Sequence, residues 1–175
     1  SAWDTLCEIV VEDDLKTGLY PPAAGDNDES WALRQALWND ERCLIGASDA
    51  GAHLDFLATF NYSTYLLAAA RDRSLLSLES AVNKLTDVPA RLYGLKERGR
   101  VEEGWWADLV VFDAAEVAPA EVEVREDLPG GAWRLYSEAV GVHHVFINGE
   151  HAVRDGGFTD ARPGTLLRSG RDTEP

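Results

Sequence analysis

The sequence has few basic residues and no long apolar segment. Its 175 residues include 16 Lys and Arg against 31 Asp and Glu, which gives a formal net charge of −15. A surface of this sign repels nucleic acid and anionic lipid, so we expect neither nucleic acid nor a membrane as a partner. No apolar run approaches the length of a membrane span, and no charged segment followed by an apolar one marks a secretory leader.

Cysteine is scarce, and several familiar catalytic motifs are missing. Cys7 and Cys43 form no CxxC pair, which without a secretory signal is typical of reduced thiols in the cytoplasm. There is no serine nucleophile elbow, no glycine-rich phosphate loop and no four-cysteine zinc cluster. The chain opens on Ser1 rather than methionine, which favours a segment of a longer protein.

The most informative stretch runs from Cys43 to His53. Cys43-Leu44-Ile45 is a short apolar run that favours a strand buried on both faces, with Cys43 as a small core residue. Asp49 follows, and the carboxyl ends of parallel strands are where sheets and barrels place their chemistry. In apolar surroundings we expect a metal, a hydrogen-bond donor or a bound proton beside Asp49. The alternative is that Asp49 caps the following helix.

Helices are predicted on both sides of this stretch. Apolar residues at helical spacing predict helices over residues 4–15 and 31–38. Short extended segments flank the second helix, at Leu19-Tyr20 and at residues 43–45, and this βαβ pattern is typical of a parallel sheet. Residues 54–73 predict a helix or a helix–loop segment.

The second half of the chain changes character. Ser77 is the expected cap of a helix, and from Lys96 onward strand-like alternation replaces helical spacing. The run 109–112 predicts a buried strand, and Asp108 before it is expected to hold a turn through side-chain hydrogen bonds. Asn148-Gly149, between two apolar runs, predicts a type I′ hairpin turn.

Three segments together resemble the metal-dependent amidohydrolases, in particular the D-aminoacylase (N-acyl-D-amino-acid deacylase) branch. Asp49 with its preceding apolar run resembles the aspartate that ends the last barrel strand of that family. Residues 74–113 resemble the exit from the barrel, with Leu-Tyr-Gly-Leu followed by Gly-Arg-Val-Glu-Glu-Gly-Trp-Trp-Ala-Asp-Leu-Val-Val-Phe-Asp. Residues 143–154, around the Asn-Gly turn, are the third similar segment.

The resemblance implies an α/β region followed by a β region. Residues 1–73 would form the C-terminal end of a (β/α)8 TIM-like barrel. Residues 74–95 would form a packing helix and turn. Residues 96–175 would supply strands of the composite β-sandwich domain and the C-terminal tail.

The resemblance also implies hydrolysis of a carbon–nitrogen bond, that of an N-acyl amino acid or a similar small-molecule amide, with a divalent metal, zinc, as cofactor. Asp49 would ligate the metal and would carry the proton from the attacking water to the leaving amine. His53 would contact the substrate or the oxyanion, and the alternative is that it is only a loop residue.

Two features depart from the family pattern. The His-x-His motif and the later metal histidines are absent, so most metal ligands would lie outside this chain, on a missing N-terminal part of the barrel or on another copy, and the chain alone would be inactive. Asp49 is followed by residues 50–56 rather than by a longer loop with His-Pro-Arg, which puts the D-amino-acid substrate in question more than the hydrolase class.

The remaining histidines are not expected to bind a metal. His143 and His144 are adjacent in a predicted strand and point to opposite faces, and His151 is expected to be solvated in the hairpin. Two other functions stay open at this point: a metal-free scaffold with an amidohydrolase-like fold, and an independently folding interaction module.

Overall fold

The computed structural model describes residues 1–18, 25–46 and 48–174. These residues have mixed content, with α-helices in the first half and antiparallel strands in the second. The chain divides into two compact units, residues 1–34 and 35–175. The predicted extended segment Leu19-Tyr20 lies outside the described residues. Within those residues no helix combines the length and apolar character needed to cross a membrane.

The helices, in chain order, are α1 (Ala2–Glu12), α2 (Asp28–Asn39), α3 (Tyr62–Asp72), α4 (Leu78–Leu85) and α5 (Asp87–Leu92). The strands are β1 (Leu109–Phe112), β2 (Ala118–Pro119), β3 (Glu123–Leu128), β4 (Ala132–Tyr136), β5 (Ala139–Val140), β6 (Val142–Ile147), β7 (Glu150–Arg154) and β8 (Gly157–Phe158). Single 3-10 turns occupy Thr59–Asn61 and Pro129–Gly131.

The two predicted N-terminal helices are present with shifted ends. Helix α1 begins earlier than predicted because Ser1 caps it, accepting from the Asp4 backbone N–H at 3.3 Å. It ends at Glu12, and Leu15 has a φ of +62°, so this residue lies outside the helix. Helix α2 begins earlier as well, since the Asn27 side chain accepts from the Ser30 backbone N–H at 2.9 Å.

The predicted buried strand at Cys43–Ile45 is wrong. Residues 43–46 have no regular secondary structure and are half-buried or exposed, and the Cys43 N–H donates to the Asp40 carbonyl at 3.0 Å within a turn. A strand needs a neighbour for its backbone groups, and all the described strand pairs are antiparallel and lie between residues 109 and 158. The parallel βαβ pairing is therefore not found in the described parts of the chain.

Helices α3, α4 and α5 pack against one another in sequence. Ser77 caps α4 as predicted, because its hydroxyl accepts from the Ser80 backbone N–H at 3.2 Å. Ala81 is almost fully buried at the centre of α4, whereas Leu78 at its first position is 42% exposed. Arg71 of α3 donates to the Val117 carbonyl at 2.9 Å, which ties this helical layer to the segment before β2.

The largest sheet has the strand order β1-β6-β7-β8 and is antiparallel throughout. The predicted hairpin turn is confirmed: Asn148 and Gly149 join β6 to β7 with φ values of +51° and +85°, as a type I′ turn requires. Strand β1 coincides with the predicted run 109–112. It is an edge strand rather than a buried one, since Val110 is 55% exposed and Val111 46%.

Asp108 makes side-chain hydrogen bonds to a turn, as predicted, but that turn is the distant β6–β7 hairpin turn rather than the one before β1. One carboxylate oxygen accepts from the Asn148 backbone N–H at 2.8 Å, and the other pairs with the Arg98 guanidinium. Arg98 also donates to the Asn148 side-chain oxygen at 2.7 Å, and its side chain is only 12% exposed. Asn148 in turn donates to the Pro163 carbonyl at 2.6 Å. One carboxylate thus connects the segment before β1, the β6–β7 turn and the C-terminal tail.

We expect Asp108→Ala to lower the free energy of unfolding by about 2 kcal/mol, because a largely buried guanidinium and a backbone N–H lose a charged acceptor. Urea unfolding followed by circular dichroism measures this loss. The matched control is Asp160→Ala, which removes an exposed carboxylate and should leave the unfolding midpoint unchanged. Equal midpoints for the two variants would show that Asp108 does not hold the turn.

Candidate functional site

Asp49 lies in an irregular segment, residues 48–58, which we call the Asp49 loop. The Ala52 N–H donates to the Asp49 carbonyl at 3.0 Å and closes a tight turn. Gly51, the third residue of this turn, has a φ of +93°, which glycine adopts without strain. The Ser48 hydroxyl accepts from the Ala50 N–H at 3.2 Å. The next helical residues begin only at Thr59, so the alternative that Asp49 caps a helix is wrong.

The Asp49 side chain is exposed, not buried as the strand prediction required. Within the described parts of the chain its carboxylate has no hydrogen bond and no ion pair. The carboxylate is therefore accessible to a ligand.

His53 lies at the other end of the same turn. Its φ is +52°, and its carbonyl accepts from the Phe56 and Leu57 N–H groups, both at 2.8 Å. The ring is exposed and meets Phe56 edge-on, with the two centroids 6.4 Å apart. Asp49 and His53 are thus separated by a turn rather than stacked on one face of a helix. Both side chains are accessible from solvent.

The described residues do not form a metal site. No group of three or more His, Cys, Asp or Glu side chains lies close enough among them to hold an ion. A catalytic zinc generally takes three protein ligands, and Asp49 supplies one at most. The residues present therefore do not fit a metal by themselves.

The predicted solvation of His151 is wrong. Hairpin register pairs His151 with Phe146, and the two rings stack with centroids 3.9 Å apart. The His151 Nε2 atom is buried and has no hydrogen-bond partner among the residues that the structure describes, while Nδ1 lies 3.1 Å from a guanidinium nitrogen of Arg154. The Asn148-Gly149 turn fixes this register. The Asn148-Gly149 turn is therefore the sequence signal from which the packing of the His151 ring could have been predicted.

The surroundings of His151 favour its neutral form. Desolvation lowers the pKa of His151, and the positive charge of Arg154 and the nearby His144 lower it further, against a weaker opposing effect of Asp155. The unfolded chain therefore binds this proton at a higher pH than the folded chain does. The folded state therefore keeps its full stability above the ordinary histidine pKa of about 6.5. The free energy of unfolding falls as the pH drops towards the lower pKa that His151 has in the folded state.

We expect His151→Phe to reduce the loss of thermal stability between about pH 7.5 and pH 5.5, because the substituted ring keeps the stack on Phe146 and binds no proton. Thermal melts at several pH values measure the slope of the melting temperature against pH. His143→Phe is the control for adding a phenylalanine to the same sheet, since His143 is exposed there, and its slope is compared with that of His151→Phe. An unchanged slope in His151→Phe would assign the acid sensitivity to other groups.

A separate cavity of about 1290 Å³ lies between helices α3 to α5 and the sheet. Its lining is mostly apolar and includes Val82 of α4, Leu109 of β1 and Val145 of β6. Neither Asp49 nor His53 lines it, and no other residue of the Asp49 loop does. This cavity is therefore distinct from the candidate site.

Comparison with known proteins gives consistent matches over most of the chain. Residues 20–153 match the sequence model of a family described as the amidohydrolase family. The N-acyl-D-glutamate deacylase of Alcaligenes xylosoxydans xylosoxydans is 37% identical over 136 residues, covering 75% of this chain and 25% of that protein. The N-acyl-D-aspartate deacylase of the same organism is 37% identical over 115 residues, covering 62% of this chain and 20% of that protein.

A solved structure is similar as well. The crystal structure of the N-acyl-D-glutamate deacylase from Bordetella bronchiseptica, complexed with zinc and a phosphonate inhibitor, has a TM-score of 0.55 to this chain at 33% identity. The match covers 82% of this chain and 28% of that one. The chain thus spans about a fifth to a quarter of the length of the curated relatives that it matches.

Proposed function

The chain belongs to the amidohydrolase family, in its D-aminoacylase branch, and from this premise we propose that it is part of an enzyme that hydrolyses the amide bond of N-acyl amino acids. The relatives named above are deacylases of N-acyl-D-glutamate and N-acyl-D-aspartate, which supports this substrate class. The observation that carries the proposal is the Asp49 carboxylate, which is exposed at the position that resembles the family's acid–base aspartate.

Asp49 would move the proton of the reaction. Its carboxylate would accept a proton from the water that attacks the amide carbonyl, and the C–O bond would form as the carbonyl oxygen takes up the electron pair. The same proton would then pass to the amine nitrogen as the C–N bond breaks, which releases a carboxylic acid and an amine. His53 would contact the substrate or the developing oxyanion from the other end of the turn.

The cofactor and the remaining architecture belong to the same proposal. We infer a divalent metal, zinc, because the Bordetella bronchiseptica relative is complexed with zinc. Its ligands other than Asp49 would come from residues outside this chain or from a second copy, so the chain alone would be inactive. Residues 1–73 would complete a (β/α)8 barrel, 74–95 would pack against it, and 96–175 would join a β-sandwich domain. We expect the enzyme in the cytoplasm.

Asp49→Asn, made in the longer protein that carries these residues, should lower kcat/KM at least about a thousandfold, because the amide cannot accept the proton. Release of free amine from N-acetyl-D-glutamate, N-acetyl-D-aspartate and their L isomers measures the activity and assigns the stereochemistry. Asp55→Asn is the matched control, since Asp55 is an exposed carboxylate of the same loop and should leave kcat/KM within about twofold. Full activity in Asp49→Asn would refute the assignment.

His53→Asn should raise KM about fivefold while kcat changes less, because a substrate hydrogen bond is lost. Asparagine tolerates the left-handed backbone that His53 adopts, so the loop should keep its path. Initial-rate kinetics over a range of substrate concentrations separate the two constants. If His53 is only a loop residue, both constants will equal those of the unmodified protein.

A scaffold or interaction module remains the second candidate function. The observation that favours it is the exposed apolar surface of edge strand β1, at Val110 and Val111, beside the apolar cavity. Such a surface is typical of a docking site. A scaffold would keep its binding in Asp49→Asn and would hydrolyse no N-acyl amino acid in either form.

A further inference from the structure

The β3–β4 ribbon, residues 123–136, contacts the Asp49 loop through the backbone. The Leu135 N–H of β4 donates to the Leu54 carbonyl at 2.8 Å. Leu54 directly follows His53. The other described backbone hydrogen bonds of the Asp49 loop, such as those accepted by Asp49 and His53, are local turns. The bond from Leu135 therefore fixes the loop to a distant part of the chain.

A side-chain contact holds the far end of the loop. The Tyr136 ring of β4 packs on Phe60, with centroids 5.5 Å apart and planes tilted by 39°. Phe60 belongs to the 3-10 turn Thr59–Asn61, which directly follows the Asp49 loop. Two successive residues of β4 thus hold the loop at Leu54 and at the turn where it ends.

Two arginine guanidinium groups lie close to the Tyr136 ring. The guanidinium carbons of Arg125 and Arg134 lie 3.8 and 4.7 Å from its ring centroid. Arg134 makes a bidentate pair with Asp127 at 2.8 and 2.7 Å, and Arg125 donates to Glu138 at 2.8 Å. Both cations are therefore already paired with carboxylates. Their evident role is to fix the tyrosine ring, since a cation over an aromatic face is attracted to it.

The Asp49 loop needs such support. It has no regular secondary structure and includes two residues at positive φ, Gly51 and His53. Exposed segments of this kind open locally at low free-energy cost. Proton transfer requires the carboxylate to lie within hydrogen-bond reach of the reacting atoms, and displacement by about 1 Å can cost about a hundredfold in rate.

We propose that Tyr136 is a positioning residue for Asp49, which acts by holding the Asp49 loop against the β3–β4 ribbon. This role rests on the proposed function of Asp49 in amide hydrolysis. Tyr136 would act through the loop, by the contact of its ring with Phe60. The aromatic ring is the part that matters, because it is the ring that contacts Phe60 and both guanidinium groups.

The test compares three variants in the longer protein. Tyr136→Ala should lower kcat about tenfold or more and change KM less, while Tyr136→Phe, which keeps the ring, should stay within about twofold of the unmodified enzyme. Tyr93→Ala, which removes a tyrosine that is 64% exposed, is the control for loss of an aromatic ring. Kinetics with N-acetyl-D-glutamate give both constants.

Hydrogen exchange provides a readout that does not depend on activity. In Tyr136→Ala, peptides covering residues 48–60 should exchange faster, and peptides covering the β6–β7 hairpin should exchange as before. Faster exchange in both regions would mean general destabilisation and would overturn the positioning role. The positioning role would also be overturned if Tyr136→Ala kept the kcat and the exchange rates of the unmodified protein while Asp49→Asn was inactive. An active Asp49→Asn would instead refute the proposed function, while the exchange result would still report on the contact between ribbon and loop.

Discussion

A buried extended segment satisfies most of its backbone N–H and C=O groups by pairing with another strand, and this requirement divides the chain. In the second half, each described strand pairs with another strand of the same half, and the Asn148-Gly149 turn sets one register directly. The apolar run at Cys43–Ile45 has no described strand beside it and stays irregular. The position of Asp49 follows from this difference. A buried strand would have placed Asp49 at the edge of a sheet, but without such a strand Asp49 lies in an exposed loop.

The same difference explains how the candidate site is held. With no strand beneath it, the Asp49 loop depends on its own tight turns and on contacts from the β3–β4 ribbon. Asp108 has the corresponding role in the sheet, where it connects Arg98 with the β6–β7 turn. In the Asp49 loop and at the β6–β7 turn, charged or hydrogen-bonded groups thus fix a stretch of irregular backbone that no helix or strand holds in place. The chain thus presents Asp49 as a candidate acid–base residue, and its described residues do not by themselves form a metal site.

Sequence patterns predicted the features that depend on local chemistry. The cap at Ser77, the strand at 109–112 and the Asn148-Gly149 turn each follow from a few neighbouring residues, and all three are present. The predicted burial of the strand at 109–112 was wrong, because it lies at the edge of the sheet. Predictions that depended on distant partners were wrong. The strand at Cys43–Ile45 required neighbours that the described residues do not supply. The prediction that His151 is solvated was wrong because its ring packs on Phe146, a contact that depends on hairpin register.

The candidate site shows the same limit. Asp49 and His53 were identified by residue type and by resemblance, and the structure places both in one exposed turn. Tyr136 was not predicted, because its contact with Phe60 joins segments far apart in sequence that no local pattern links.

The most direct test of this account is a crystal structure of the longer protein with a phosphonate that mimics the tetrahedral intermediate of N-acyl-glutamate hydrolysis. We expect an Asp49 carboxylate oxygen about 3 Å from a phosphonate oxygen or from the nitrogen-side atom of the inhibitor. An inhibitor bound with Asp49 beyond hydrogen-bond reach, and with another acid in that place, would contradict it.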